Sequence, residues 1–424
     1  MKNMIFSPTK IDGAVRIPSS KSQAHRALIC AALAGNSVAR GVDLSNDVNV
    51  TANALRKMGA ELAYDAETRT FTAGKPCARG ISIGELDAGE SASMLRFFIP
   101  LVSALGIDCT FVGGGRLPKR PTDLYKPLME AHGASLTYPE NGDYLPLPVS
   151  GRLTGGTYAL RGDVSSQFVT GLLLALTQVE GESEIKLTTR LESKPYADLT
   201  VDVLRRFGAD ITEHPEGYTL RGGKLKPLDL DVEGDCSQAA FFTVAAAIGG
   251  RVTLTGLRRD TKQGDFKLFE IAEQFGAGVT WDGDTVTVRK ADKLTAHDID
   301  AADIPDLVPA LAVMAAFSEG TTRIYNAARL RIKESDRIAS TLAMIRAIGG
   351  MAEETPDSLI VTGQKTLPGG CVQACNDHRI AMAAAAASAG CMGDVIVDDM
   401  SCINKSYPEF VRDFHQVKAG APAR

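Results

Sequence analysis

Two hydrophobic patterns alternate along the chain. In the first, apolar positions recur at helical spacing and stop at a glycine: ALRKMGAEL, LMEAHGASL, VLRRFGADI, IAEQFGAGV and MIRAIGGMA. The glycines are Gly59, Gly133, Gly208, Gly276 and Gly349, at intervals of 74, 75, 68 and 73 residues. A glycine just past the last apolar position predicts a helix ending in a left-handed residue, with a strand to follow. The second pattern is small and apolar all round, opened by polar residues. Its copies begin near Ser22, Ser91, Ser165, Cys236, Asp306 and Asn376, at intervals of 69, 74, 71, 70 and 70. A helix without a polar face predicts burial on every side. Between the helices, runs such as RVTLTGL, TVTVRK and SLIVTG predict strands.

Six copies at one period of about 70 residues mark an internal repeat. Each repeat supplies strands, one amphipathic helix and one buried helix. The economical packing is a mixed α/β (α+β) fold turned inside out, with buried helices at the centre and sheets plus amphipathic helices outside. The sixth glycine-ended helix is missing. Its place holds YPEFVRDFHQV, so the N-terminal segment MIFSPTKIDGAVRIP is expected to close the last repeat. Six repeats divide into three plus three. One domain is expected over residues 20–233, and a second over 1–19 plus 234–424.

The chain has 424 residues, with 46 Lys plus Arg against 51 Asp plus Glu and a net charge of −5. That balance argues against a nucleic-acid wrapper, which needs a basic footprint. Hydrophobic residues at 44% and charged residues at 23% exclude a mainly disordered chain. No apolar run approaches a membrane span, and the N-terminus lacks a signal-peptide core, so the cytoplasm is expected. The eight cysteines are scattered without a CxxC pair, and buried free thiols are expected rather than a metal site.

Buried helices that open on polar residues aim unsatisfied N–H groups at one end of each domain, and such ends attract anions. The openings carry Lys21, Ser22 and Arg26; Ser165, Ser166 and Gln167; and Asn376, Asp377, His378 and Arg379. Cations are unfavourable at a helix N-terminus, so Lys21, Arg26 and Arg379 predict a compensating anion. Two facing rings of helix ends would form an interdomain cleft for a small polyanion. The segment RIKESDRI packs Lys333, Glu334, Asp336 and Arg337 closely, a pattern that a solvated helix turn would also give. RLPKRPT places Arg120 in an extended stretch before a proline. GGGR at 113–116 lacks the GK[ST] of a nucleotide loop, and no strand–GxGxxG–helix unit occurs.

The motifs SKSQAHRA, KRPT, SSQF, SKPYAD, IPDL, RIKESDR, NDHR and NKSYP, in that order, resemble those of the 5-enolpyruvylshikimate-3-phosphate synthases, a family of enolpyruvyl transferases. The resemblance runs from about Pro18 to Phe410. It implies two domains of three βαβαββ units each. It also implies transfer of the enolpyruvyl group of phosphoenolpyruvate to the 5-hydroxyl of shikimate 3-phosphate, with release of phosphate. The positions matching the family's shikimate phosphate ligands are Lys21, Ser22, Arg26, Ser165, Ser166, Gln167, Ser193, Tyr196, Asp306 and Lys333. Those matching its phosphoenolpyruvate ligands are Lys21, Ala92, Arg120, Gln167, Arg337, Arg379 and Lys405. Asp306 and Glu334 match the acid/base carboxylates, and Lys21 joins them as a catalytic group. The resemblance implies neither metal nor organic cofactor. Free surfaces for domain closure suggest a monomer.

Three departures from the family pattern change the expectations. ESAS stands where the family has a glycine, so Ala92 adds a β-carbon expected to face the phosphoenolpyruvate pocket. In the family this change lowers sensitivity to glyphosate, which is longer than the substrate. Weak inhibition is therefore expected, and Ala92→Gly should sharpen it in a steady-state assay. Arg329 and His25 stand where some members have Asn. His378 is expected to orient Asp377 or Arg379. A sister transferase acting on UDP-N-acetylglucosamine would carry a loop Cys near Arg120 and an Asn after Lys21, and neither is present. A noncatalytic six-repeat scaffold, such as a DNA clamp, would spread basic residues along a track. Here they gather at helix starts and short loops.

Overall fold

The structure is a computed structural model that describes residues 3–290 and 292–419. The chain divides into two compact units, Ser19–Val232 and Met1–Pro18 with Glu233–Arg424. Each unit is built on three central helices. In the first these are Lys21–Ala34, Ala92–Leu105 and Ser166–Leu176, and in the second Cys236–Gly249, Val308–Ala316 and His378–Ala387. Their residues form the bulk of one hydrophobic core per unit. Ala239–Ala247 illustrates the rule, since every apolar side chain in that run is 0% exposed. Burying a large apolar side chain contributes about 1.5–3 kcal/mol, which the outward face of an ordinary surface helix forgoes.

The amphipathic helices are Asn46–Lys57, Tyr125–Glu130, Lys194–Arg206, Lys267–Gln274 and Arg337–Ala347. The predicted glycines follow them, all with left-handed backbone between φ 82° at Gly208 and φ 104° at Gly276. The sixth counterpart, Phe410–Gln416, ends on Val417 instead.

Among the described residues, each unit holds three sheets. The common plan is a parallel pair of strands joined by the buried helix, extended by an antiparallel hairpin. Gly156–Leu160 and Glu182–Leu187 form such a pair around Ser166–Leu176, and the hairpin Asp210–His214 with Gly217–Arg221 extends it. The N-terminal segment departs from expectation. Met4–Phe6 pairs antiparallel with Val395–Val397 and does close the sixth repeat. Ile11–Arg16 does not; it pairs parallel with Gly250–Thr255 of the fourth repeat. Reciprocally, Asp229–Asp231 pairs parallel with Ser37–Arg40 of the first. The chain passes from one unit to the other between a strand and the helix that follows it. The strand stays behind, and its N–H and C=O groups find the open edge left in its own unit.

Among the cysteines, Cys30, Cys109, Cys236, Cys391 and Cys402 are buried free thiols and Cys77 is half-buried. Cys371 and Cys375 are exposed, against expectation. Cys371 takes the outward position of a three-residue strand, and Cys375 lies in a left-handed turn with φ 53°.

Candidate functional site

In the Ser19–Val232 unit, serine caps order the helix starts. Ser20, Ser91 and Ser165 each accept a backbone N–H of the helix they precede. This fixes Lys21 and Ser22, Ala92 and Ser93, and Ser166 and Gln167 in three first turns. Arg26 is 2% exposed and links its own helix to two others. It donates to Ser22 O at 2.6 Å, to Thr200 Oγ1 at 2.8 Å, to Tyr196 O at 2.9 Å and to Thr170 Oγ1 at 3.3 Å. Burial pulls its guanidinium down to about 10. Ser193 sits at φ 52° just before the helix Lys194–Arg206 that carries Tyr196. Arg120 is buried after the short turn Leu117–Lys119, with the extended backbone expected before Pro121. Ala92 is 4% exposed. His25 is buried with Nδ1 2.7 Å from Thr51 Oγ1, and burial, then Lys21 and Arg26, hold it well below the ordinary histidine value.

The second unit gathers the other predicted residues around Asp306. Arg337 Nη1 lies 2.9 Å from Asp306 Oδ1, Arg379 Nη2 2.8 Å from Oδ2, and Lys333 Nζ 3.8 Å from Oδ1. Arg337 also pairs with Glu334 and, through Nε at 2.9 Å, with Asp377. Asp377 is 0% exposed, accepts Ser335 Oγ at 3.0 Å, and caps His378–Ala387 by accepting the Arg379 N–H at 2.9 Å. Arg379 reaches Ser237 Oγ at 3.2 Å on a second buried helix. Lys405 donates to Asn376 O at 2.7 Å. His378 is buried, with Nδ1 4.0 Å from Asp377 Oδ1, beyond hydrogen-bond distance. Arg329 donates to Ala302 O. RIKESDR is not one helix turn. A short 3-10 turn ends at Ile332, and Asp336 caps a new helix at Arg337. That break lets Lys333, Glu334 and Arg337 converge.

Charge sets the chemistry of this cluster. Burial alone would raise the Asp306 carboxyl, but Arg379, Lys333 and Arg337 outweigh it and hold the group well below the usual carboxylate range. Burial is the largest influence on Lys333 and pulls its ammonium down to about 8, with Asp306 opposing. Burial likewise opposes the charge on Arg337, yet Asp377, Glu334 and Asp306 more than restore it.

The helix-start cations were expected to need an external anion. The protein supplies carboxylates for two of them: Asp47 Oδ2 lies 2.8 Å from Lys21, and Asp306 pairs with Arg379. Sequence reasoning missed Asp47, Arg96 and the central place of Asp377. Arg96 had a signal, being a lone cation inside an apolar run. Asp47 had none, since an acid in the first turn of an amphipathic helix is ordinary. A cavity of about 1030 Å³ lies elsewhere in the second unit, at the opposite ends of its buried helices, beside Gly249, Phe317 and Gly390. Lys10, Lys290 and Lys365 line it and offset the negative helix ends. Among the described residues, no helix is long and apolar enough to cross a membrane, and no group of three or more metal-binding side chains occurs.

Two units, each built on three buried helices with polar first turns, define a class of inside-out α/β proteins. An enolpyruvyl transferase from Streptomyces tendae, NikO, has this fold, with a TM-score of 0.77 over 98% of this chain and 97% of that one at 21% identity. The EPSP synthase of Acinetobacter baumannii matches with a TM-score of 0.81 and 26% identity over 98% of both chains. The family described as EPSP synthase (3-phosphoshikimate 1-carboxyvinyltransferase) matches residues 5–414. Relatives named 3-phosphoshikimate 1-carboxyvinyltransferase include one from Clostridium kluyveri, 41% identical over 98% of this chain and 97% of its own. Another, from Clostridium novyi, is 39% identical over 98% of both. The chain belongs to the EPSP synthase family.

Proposed function

We propose that this chain transfers the enolpyruvyl group of phosphoenolpyruvate to the 5-hydroxyl of shikimate 3-phosphate, a step of aromatic amino acid biosynthesis. The observation that carries the reading is the cluster of Arg337, Arg379 and Lys333 around Asp306, with Glu334 alongside. Arginine forks suit carboxylate and phosphate oxygens, and the substrates bring four such groups, one carboxylate and one phosphate each.

The reaction is an addition followed by an elimination. The hydroxyl oxygen attacks C2 of the enol, its proton leaves, and C3 gains a proton. C3 then loses a proton, the bond from C2 to the phosphate oxygen breaks, and inorganic phosphate departs. Asp306 takes the hydroxyl proton. Glu334 and Lys21 handle the methylene proton and the leaving phosphate. A carboxylate clamped by three cations is a weak base, so Asp306 needs release. Incoming substrate anions compete for Arg379, Arg337 and Lys333, and each cation they draw off raises the basicity of Asp306. In this reading binding itself arms the base. Lys21, Ser22, Arg26, Ser165, Ser166, Gln167, Ser193 and Tyr196 hold shikimate 3-phosphate together with Asp306 and Lys333. Arg120, Gln167, Arg337, Arg379, Lys405 and Lys21 hold phosphoenolpyruvate beside Ala92. The proposal includes a monomer acting in the cytoplasm.

The test is phosphate release from purified protein with both substrates and with each omitted in turn. Release is expected only with both. Release that ignores shikimate 3-phosphate would overturn the reading, and so would near-normal turnover in Asp306→Ala for the role given to that residue.

A further inference from the structure

In the Ser19–Val232 unit, one hydrogen-bond chain has a direction that chemistry alone fixes. Arg96, 2% exposed on the helix Ala92–Leu105, donates from Nη1 to Gln167 Oε1 at 2.7 Å. Its Nε and Nη2 both donate to Pro121 O, at 3.2 and 2.8 Å. The guanidinium carbon lies 4.8 Å from the Phe168 ring centre. Tyr125 sits at the crossing of the two helices, its single hydroxyl proton shared between Arg96 O at 2.7 Å and Phe168 O at 3.1 Å. Gly171 permits that closeness, since a β-carbon there would strike both the Tyr125 hydroxyl and the Arg96 carbonyl.

A guanidinium has donors only. Gln167 must therefore turn its carbonyl to Arg96 and its NH2 group away. That NH2 donates to Ser93 Oγ at 2.8 Å. Ser93 then serves as acceptor toward Gln167, and its own proton must point in another direction. Ser93 is half-buried in the first turn of its helix, next to Ala92.

We infer that Arg96 is a positioning residue and Ser93 a binding residue for phosphoenolpyruvate. The chain from Arg96 through Gln167 commits the Ser93 hydroxyl to donate to an anionic oxygen of that substrate. The same guanidinium, through the Pro121 carbonyl, holds the loop that presents Arg120. The inference rests on the function proposed above. A buried arginine that merely satisfies its neighbours would stabilise the fold but would not couple to Ser93.

The experiment compares Ser93→Ala, Ser93→Thr, Arg96→Lys and the double variant Arg96→Lys with Ser93→Ala by phosphate release, resolving kcat and the KM of each substrate. Wild-type protein comes first; if it fails to require both substrates, the proposed function falls and not the chain. Given that requirement, Ser93→Ala should raise the KM for phosphoenolpyruvate about tenfold, the loss of one hydrogen bond to a charged group. The KM for shikimate 3-phosphate should hold, and Ser93→Thr, which keeps the hydroxyl, should restore the wild-type value. Arg96→Lys cannot span both acceptors and should raise the same KM. In that background Ser93→Ala should cost less than it does alone, the mark of two residues acting through one link. If Arg96→Lys does not fold, Arg96→Met, which removes the donors and keeps the apolar stem, completes the same cycle. A wild-type KM in Ser93→Ala overturns the role of Ser93. Effects that simply multiply overturn the coupling to Arg96.

Discussion

Lys333 shows how burial turns an ordinary side chain into a titrating one. Its ammonium, pulled down to about 8 by burial, is charged below that value and neutral above it. If the charge holds shikimate 3-phosphate, kcat/KM for that substrate falls as pH rises through about 8, by about tenfold for one lost charged contact. A pH–rate profile checks this. In Lys333→Arg the basic limb should vanish from that region, because a guanidinium keeps its proton. The residue types and positions of Lys333, Glu334 and Arg337 were readable in RIKESDR. Their convergence was not. It depends on a backbone break between Ile332 and Asp336, which spacing alone could not separate from a helix turn.

At the level of elements, the helix His378–Ala387 depends on one carboxylate with two duties. Asp377 caps the helix and neutralises Arg337 in a fully buried pair. Asn caps nearly as well as Asp, so Asp377→Asn isolates the charge. Arg337 keeps Asp306 and Glu334 as partners, so the expected cost is that of one charged hydrogen bond, about 1.5–3 kcal/mol, measured as a lowered urea midpoint. Asp377→Ala removes the cap as well and should cost about 1 kcal/mol more. Burial would raise the Asp377 carboxyl, but Arg337 outweighs it and holds the group below its ordinary value. Its contribution is therefore complete above about pH 3.9, the unfolded value, and is lost as the pH falls below that. The gap between wild type and Asp377→Asn should close on acidification along that course. The helices themselves were legible because periodicity and terminal glycines are local signals. The hydrogen-bonding network at their starts was not, since it joins residues up to 174 positions apart.

On the scale of the whole molecule, the N-terminal segment completes two sheets of one unit. Ile11–Arg16 forms the edge of a four-stranded sheet, and Met4–Phe6 the edge of a three-stranded one. Removing residues 1–18 should expose the backbone of Gly250–Thr255 and Val395–Val397, partners of those strands. Amide exchange should accelerate there, while the buried helices of Ser19–Val232, which make no pairing with the segment, keep their protection. Uniform loss of protection throughout the chain would contradict this division. The sixfold repeat was legible from the sequence. The exchange of strands was not, because Ile11–Arg16 and Asp229–Asp231 read as equivalent β-like runs, each beside a buried helix.

By itself the sequence determined the six-repeat inside-out fold, the burial of helices with no polar face, the glycine-ended amphipathic helices and the polar and cationic residue types at the helix starts. Each of these is written in short-range order: periodicity, a terminal glycine, a polar first turn. Tertiary structure alone decided which strand joins which sheet, that Asp47 and Asp306 partner Lys21 and Arg379, and that Arg96 dictates how Gln167 faces. Those choices turn on distance and desolvation between residues far apart in the chain, and one dimension does not encode either quantity locally.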